Sequence, residues 1–401
     1  MLVDKDFEAV LEQIIQHTPR LASKYISIME ALGRVSAENI YADKNLPDCN
    51  QSAVDGYAVA KARENDENHF ILTGYVGLGD VPKAPLQPGE AMGVATGGNL
   101  PEGTVAVVPH ENTEVNGNLV QPREVIKAGN NIKQAGEDYQ KDDLLLADNQ
   151  VLGPGEISLL AAFGQSMVKV YEKPKVAVLS LSENVVFWQD EPNPGQIRDS
   201  NGPLLAALTI QDGGIPNANK IAVKDQGSIK EAVLDLLEQN DILILTGGTY
   251  SEGNNEVMAL MEALEAEVLY WGVPIQPGSH TGAARLNSGL IFALSGNPAS
   301  CAVGYHLFVA PAIKAMQGLN PYLPRIKAKC TNGFAKKTGT RRFVRGYASF
   351  DKEGWQVTVQ PGQKPSMIRS LIKCNALIDL PAKNPPVEPG EEVDVILLNN
   401  L

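Results

Sequence analysis

The chain has 401 residues, which is too many for one ordinary core and implies about two to four domains. Hydrophobic residues make up 43% and charged residues 20%, a globular composition that excludes disorder. A formal net charge of −13 repels phosphate backbones and argues against nucleic acid as a partner.

The four cysteines, Cys49, Cys301, Cys330 and Cys374, lie far apart and form no CxxC pair. Neither a zinc site nor a disulfide framework is indicated, and a reducing compartment fits. The start, MLVDKDFEAVLEQIIQ, carries acids and no long apolar run, so it does not read as a signal peptide. No stretch approaches the ~18 consecutive apolar residues of a membrane span. A soluble cytoplasmic protein is expected.

In chain order, Phe7, Val10, Leu11, Ile14 and Ile15 share one helical face, with Asp4 or Asp6 as cap. A second helix is expected near Ile26 to Ser36. Short apolar runs broken by Gly, Pro and Asn follow, from about Ala42, and indicate a small β-rich domain. GPGEISLLAAFGQ (153–165) returns to helix. From Lys175 strands and helices alternate. VAVLS, DILILTGG and GLIFALSGNP read as buried strands. PLLAALTIQDGG reads as a helix, and Ser228 with Glu231 forms a capping-box pattern before another. A further helix is expected near Ala299 to Met316. Continuous apolar strands with intervening helices argue a parallel sheet covered on both faces, whose ligands bind beyond the strand C-terminal ends. The segment after NPYLP suggests a small β-barrel.

Three strand ends carry unusual loops, SLSEN (180–184), TGGTYSEGNN (246–255) and SGNPAS (295–300). Gly247, Gly248 and Gly296 would let backbone N–H groups approach a phosphate, and Pro298 suits a first helical turn, where anions are favoured. Glycine at such turns serves structure equally well. Asp55 in QSAVDGYAVA, Thr96 in ATGGNLPEG and Asp138 in AGEDYQKDD lie in turns, where a carboxylate or hydroxyl commonly bonds its own backbone. None of the five histidines has metal-ligand spacing. KKTGTRRFVRG (336–346) is the one basic cluster, either a solvated face or an anion site at a junction.

These segments, in this order, resemble the molybdopterin molybdenumtransferase family, which includes MoeA and the E domain of gephyrin. LPDCNQSAVDGYAV resembles the family's P-x-x-x-x-S-A-M-D-G-Y-A-V run. ATGGNLPEGTVAVVPHENT, NIKQAGEDYQKDDLLL, GQIRDSN, DILILTGGTY, LSGNPASCAV, RRFVRG and SMIRSLIKCNALIDLP resemble successive family blocks. The resemblance implies a multidomain α/β and β fold. Its parts are a helical and extended linker domain (1–41 plus 138–172), an inserted β-rich domain (42–137), a three-layer α/β molybdopterin-binding domain (173–321) and a C-terminal β-barrel (322–401). It also implies a homodimer that inserts molybdate into adenylated molybdopterin and releases AMP with Mg²⁺. Other molybdenum cofactor biosynthesis proteins are possible partners.

By position the resemblance assigns catalytic roles to Asp55, Thr96, Asp138 and Asp225, with Asp55 or Asp225 as possible metal ligands. It assigns substrate binding to Lys133, Ser180, Gly247, Gly248, Gly296, Asn297, Pro298 and Arg345. Lys133 stands for a family Arg, keeping charge without the bidentate fork. Other positions depart from the family. Asn184 replaces a catalytic Glu, Asn255 an Asp and Tyr250 a Ser. Gln276 and Ser279 replace the lysines of K-P-G-K, and Ser295 opens the usual P-G-N-P. The departures imply weaker catalysis, or a paralogue that binds a pterin or a partner without turnover.

Overall fold

The computed structural model describes residues 6–64, 69–182, 184–222, 226–248 and 256–398, the side chains of 226–228 excepted. Its centre is a six-stranded sheet in the order Ile215–Ala222, Lys175–Leu181, Ile242–Thr246, Gly289–Leu294, Gly282–Leu286 and Glu267–Trp271. The first four strands are parallel. The last two form an antiparallel edge. The expected parallel sheet is therefore mixed. Gly282–Leu286 (GAARL) runs against both its neighbours and turns at Asn287 into Gly289–Leu294, and its small residues give no apolar run to mark it.

Side chains alternate across this sheet as the pleat requires. Val176, Val178, Ile242, Ile244, Leu290 and Phe292 enter one core, together with the helix Phe7–Gln16 and the helix Pro298–Met316. Ala177, Leu179, Leu243, Leu245, Ile291 and Ala293 enter the other, under the helices Gln226–Gln239 and Glu256–Ala263. Burial on both faces explains the unbroken apolar runs. The helix starting at Gln226 puts Ser228 inside rather than at the cap. Pro298–Met316 is long and apolar enough to cross a membrane by composition alone, but 89% of it is buried in the fold, as a core helix is.

Asp6 caps the first helix by accepting from Ala9 N at 2.8 Å. The helix expected near Ile26–Ser36 does not form. Ser23–Ser27 is a strand paired antiparallel with Met167–Tyr171, followed by one 3₁₀ turn, Ile28–Glu30. Ile26, Leu152, Leu160 and Val168 bury together, so pairing across the chain overrides the local helical spacing. Gly33, at φ +71°, ends any continuation. Between these returning segments lies a second six-stranded sheet built from strands within 56–122.

The last strands close on themselves. Arg341–Asp351 pairs with both Gly354–Val359 and Ala376–Leu380, and Arg325–Cys330 and Glu392–Leu397 complete the ring. The result is the expected closed β-barrel. The short strand Ile275–Gln276 pairs with Arg341–Arg342 and fastens the barrel to the α/β region.

Candidate active site

The residues singled out from the sequence gather in two groups, with no hydrogen bond or ion pair among the described residues joining them. The first group lies on the inserted sheet. Gly56 begins the strand Gly56–Val59 against the Val108 carbonyl, where a Cβ would collide, so the chain turns sharply at the preceding Asp55. Asp55 Oδ1 accepts from the Thr96 amide at 2.8 Å. That amide and then the Thr96 hydroxyl hold the exposed Asp55 carboxyl below the usual carboxylate range, against desolvation and with a still smaller contribution from His110. The His110 ring in turn meets Tyr57 edge-on, with centroids 4.8 Å apart. Lys133 pairs with Gln51 in a short ladder, which brings it beside the same run. Asp138 is exposed, and its amide donates to the Leu46 carbonyl at 3.1 Å.

The second group lies at the C-terminal edge of the central sheet. Ser180 is the penultimate residue of one strand, Gly247 and Gly248 follow the next, and Ser295, Gly296, Asn297 and Pro298 follow the third. The three loops do converge. Gly247 has φ +87°, and a Cβ at Gly296 would press on the Gly247 Cα at 3.3 Å, so close packing itself selects glycine here. The Gly247 amide donates to the Leu294 carbonyl at 3.2 Å and is thus not free to meet a phosphate. The Ala299 amide, in the first turn of the long helix, donates to the Pro365 carbonyl of the barrel at 3.0 Å.

Two residues not weighed individually in the sequence organise this edge. Asn201 Nδ2 donates to Thr246 Oγ1 and to the Gly296 carbonyl, both at 2.9 Å. Asp199 Oδ1 accepts from the Asn201 and Gly202 amides at 3.0 Å. Both lie in GQIRDSN, a segment noted only as a block, so their roles were visible as pattern but not as geometry. Buried Ser180 Oγ and Asn201 Oδ1 have no protein partner. Buried polar atoms are usually satisfied, so two orphans at one strand edge mark a place for a polar ligand.

Behind the edge sits Arg345, only 1% exposed. Its guanidinium donates to Ser370 Oγ at 2.9 Å and to the carbonyls of Gly362 and Lys364 at 3.3 and 3.4 Å. No carboxylate among the described residues pairs with it. Burial, with a smaller contribution from nearby Arg342, lowers it to about 10. The basic run is divided: Lys336 and Lys337 are exposed, while its arginines are engaged. Arg341 bonds Asp379 and Glu8, and Arg342 Nη1 donates to Gln276 Oε1 at 3.1 Å. Arg342 thus places a cation beside the position where the family run has lysine, a substitution invisible without the strand pairing.

Among the diverged positions, the Asn184 amide donates to Ser182 Oγ at 3.3 Å, and Asn297 N donates to Ser295 Oγ at 3.2 Å. Ser279 Oγ lies 3.1 Å from His280 Nδ1. Asp225, Tyr250 and Asn255 lie outside the described residues. No group of three or more His, Cys, Asp or Glu side chains converges among the described residues of one chain. Mg²⁺ is usually held by only one or two protein carboxylates beside substrate phosphate and water, and no step below depends on it.

Three stretches of the chain match known families: MoeA N-terminal region (domain I and II) over residues 5–164, a probable molybdopterin binding domain over 177–315, and MoeA C-terminal region (domain IV) over 327–398. Molybdopterin molybdenumtransferase of Staphylococcus aureus is 30% identical over 393 residues, covering 96% of this chain and 94% of the relative. The chain belongs to the molybdopterin molybdenumtransferase family. The Staphylococcus epidermidis member is 31% identical over 396 residues, covering 97% of this chain and 94% of its own length. A molybdopterin biosynthesis MoeA protein from Pyrococcus horikosii matches with TM-score 0.87 at 28% identity, over 100% of both chains. The chain is accordingly a MoeA-like member of a transferase family of molybdenum cofactor biosynthesis.

Proposed function

We propose that this protein inserts molybdate into adenylated molybdopterin and releases AMP. The observation that carries the reading is the pair of orphaned buried polar atoms, Ser180 Oγ and Asn201 Oδ1, at the sheet's C-terminal edge; the barrel loop that accepts from Arg345 reaches the same edge where the Pro365 carbonyl takes the Ala299 amide. In such sheets ligands bind at this edge. A phosphate-bearing pterin would satisfy the orphans and offset the buried charge. Molybdate is the second substrate. Fixed cations and dipoles at the edge would stabilise charge as the phosphoanhydride breaks and the dithiolene takes the metal. Asp55 and Thr96 would complete the site from the inserted sheet.

Among the described residues the two groups make no direct bond within one chain, which supports a homodimer whose cleft is shared between subunits. We place Asp55, Thr96, Asp138 and Asp225 in catalysis, and Lys133, Ser180, Gly248, Gly296, Asn297, Pro298 and Arg345 in substrate binding. The four cysteines are free, which supports a cytoplasmic location.

The test is molybdate-dependent AMP release from adenylated molybdopterin by the purified protein. A second reading, a pterin-binding dimer without turnover, is favoured by Asn184 and Gln276, which supply neither the acid nor the lysine of the family runs. Tight pterin binding without AMP release would establish that second reading.

A further inference from the structure

At the same sheet edge the chain makes an excursion that the polar site does not explain. After the strand Lys175–Leu181, Val185–Val186 pairs in parallel with Ile197–Arg198, and the intervening loop holds Phe187 and Trp188. Phe187 is 36%, Trp188 44% and Ile197 65% exposed. Phe187 and Trp188 lie edge to face, with ring centroids 6.1 Å apart. The loop is held in place. Arg198 Nη2 meets Glu191 Oε2 at 2.6 Å, Arg198 Nε donates to the Asp190 carbonyl at 3.1 Å, and the Asn193 amide donates to Gln196 Oε1 at 3.0 Å. The Asp199 amide donates to the Val186 carbonyl at 2.7 Å, so the aromatic pair adjoins the Asp199–Asn201 turn. The orphaned Asn201 oxygen lies on that turn.

A partly exposed indole and phenyl ring on the loop that is bonded to the Asp199–Asn201 turn have the chemistry of a stacking surface. The rings offer flat apolar area, and the neighbouring dipoles offer hydrogen bonds to the ring edge or its phosphate. We infer that Trp188, flanked by Phe187 and Ile197, is a stacking platform for a fused nitrogen heterocycle, the pterin or adenine ring of the ligand. This rests on the ligand class proposed above and names a residue that recognises it.

The full-length protein is titrated with AMP and, separately, with neopterin, following tryptophan fluorescence and calorimetry. Trp271 is buried and Trp355 is half-buried, so Trp188 is the tryptophan most open to a bound ring. Saturable quenching by one of the two compounds is expected, and identifies the ring that stacks. Trp188→Ala should weaken its binding by about 5- to 100-fold with an unchanged circular dichroism spectrum, and Trp188→Phe should restore most of it. Equal binding by Trp188→Ala and the native protein overturns the inference. So does Trp188 shielding from acrylamide that depends on protein concentration and not on either ring, which would mark a protein interface. Ring binding without AMP release leaves the platform standing and removes the transferase reading. Unchanged AMP release and ring affinity in Trp188→Ala does the reverse.

Discussion

Thr96 and Asp55 are 41 residues apart in the chain, yet the Thr96 amide donates to Asp55 Oδ1 at 2.8 Å. The bond joins two turns of the inserted sheet and holds a charged carboxylate at its rim. Asp55→Ala is expected to abolish molybdate-dependent AMP release while leaving the melting temperature nearly unchanged, as exposed substitutions usually do. Asp55→Asn keeps an oxygen for the Thr96 amide and removes the charge, so it separates position from charge. Full turnover in both variants would falsify a catalytic role for Asp55.

Gln276 and Arg342 are register partners, and Arg342 already supplies a cation at that position. Gln276→Lys alone therefore sets two like charges opposite one another, at a cost of about 0.2–1 kcal/mol. Activity should rise only when the family charges return together, in Gln276→Lys, Ser279→Lys, Asn184→Glu and Asn255→Asp combined with Arg342→Ala. Calorimetry with molybdopterin and chemical denaturation of the single and combined variants measure this. A gain in affinity from Gln276→Lys alone refutes the compensation.

The large apolar strands, the barrel and the convergence of three strand-end loops were legible in sequence, because a doubly covered sheet writes unbroken runs of Val, Ile and Leu. Strand pairing over long separation was not. Ile26 reads as helix until Val168 pairs with it, and Gln276 reads as a lost charge until Arg342 lies beside it. The Gly247 amide looked available from its Gly-Gly context, and its bond to Leu294 shows only in three dimensions. Asp199 and Asn201 were hidden because a carboxamide gains meaning only from what it fails to bond.

His306 lies in the π-helical turn Tyr305–Val309 of the long core helix. Burial, with a smaller effect from Lys314, depresses it to about 4. An unfolded histidine titrates near 6.5, so between about pH 6.5 and 4 the unfolded chain binds the extra proton. Stability should therefore fall as pH drops through that window, by up to about 3 kcal/mol from this residue. His306→Gln should flatten that part of the profile in urea melts at a series of pH values. An unchanged slope would place His306 in water.

A shared cleft requires two chains. Multi-angle light scattering at micromolar concentration should give twice the mass of the 43.0 kDa chain. A monomer at that concentration would leave Asp55 and the sheet edge in separate sites and undo the composite cleft.

Arg345 offers the cleanest separation of binding from folding. A guanidinium buried without a carboxylate carries an uncompensated desolvation cost, which an apolar side chain of similar volume relieves. Ser370 Oγ keeps its bond to the Met367 carbonyl at 3.1 Å when Arg345 is replaced, so no hydroxyl is left stranded. Arg345→Met should therefore melt no lower than the native protein. If the charge is kept for a phosphate, the same variant loses a charged hydrogen bond worth about 1.5–3 kcal/mol, roughly ten- to a hundredfold in affinity. Arg345→Lys should retain part of the binding, since charge survives and the fork does not. Differential scanning calorimetry and molybdopterin titration on the same preparations measure both quantities. A Met variant that unfolds early but binds normally would make Arg345 a structural residue of the barrel loop and take the phosphate site elsewhere.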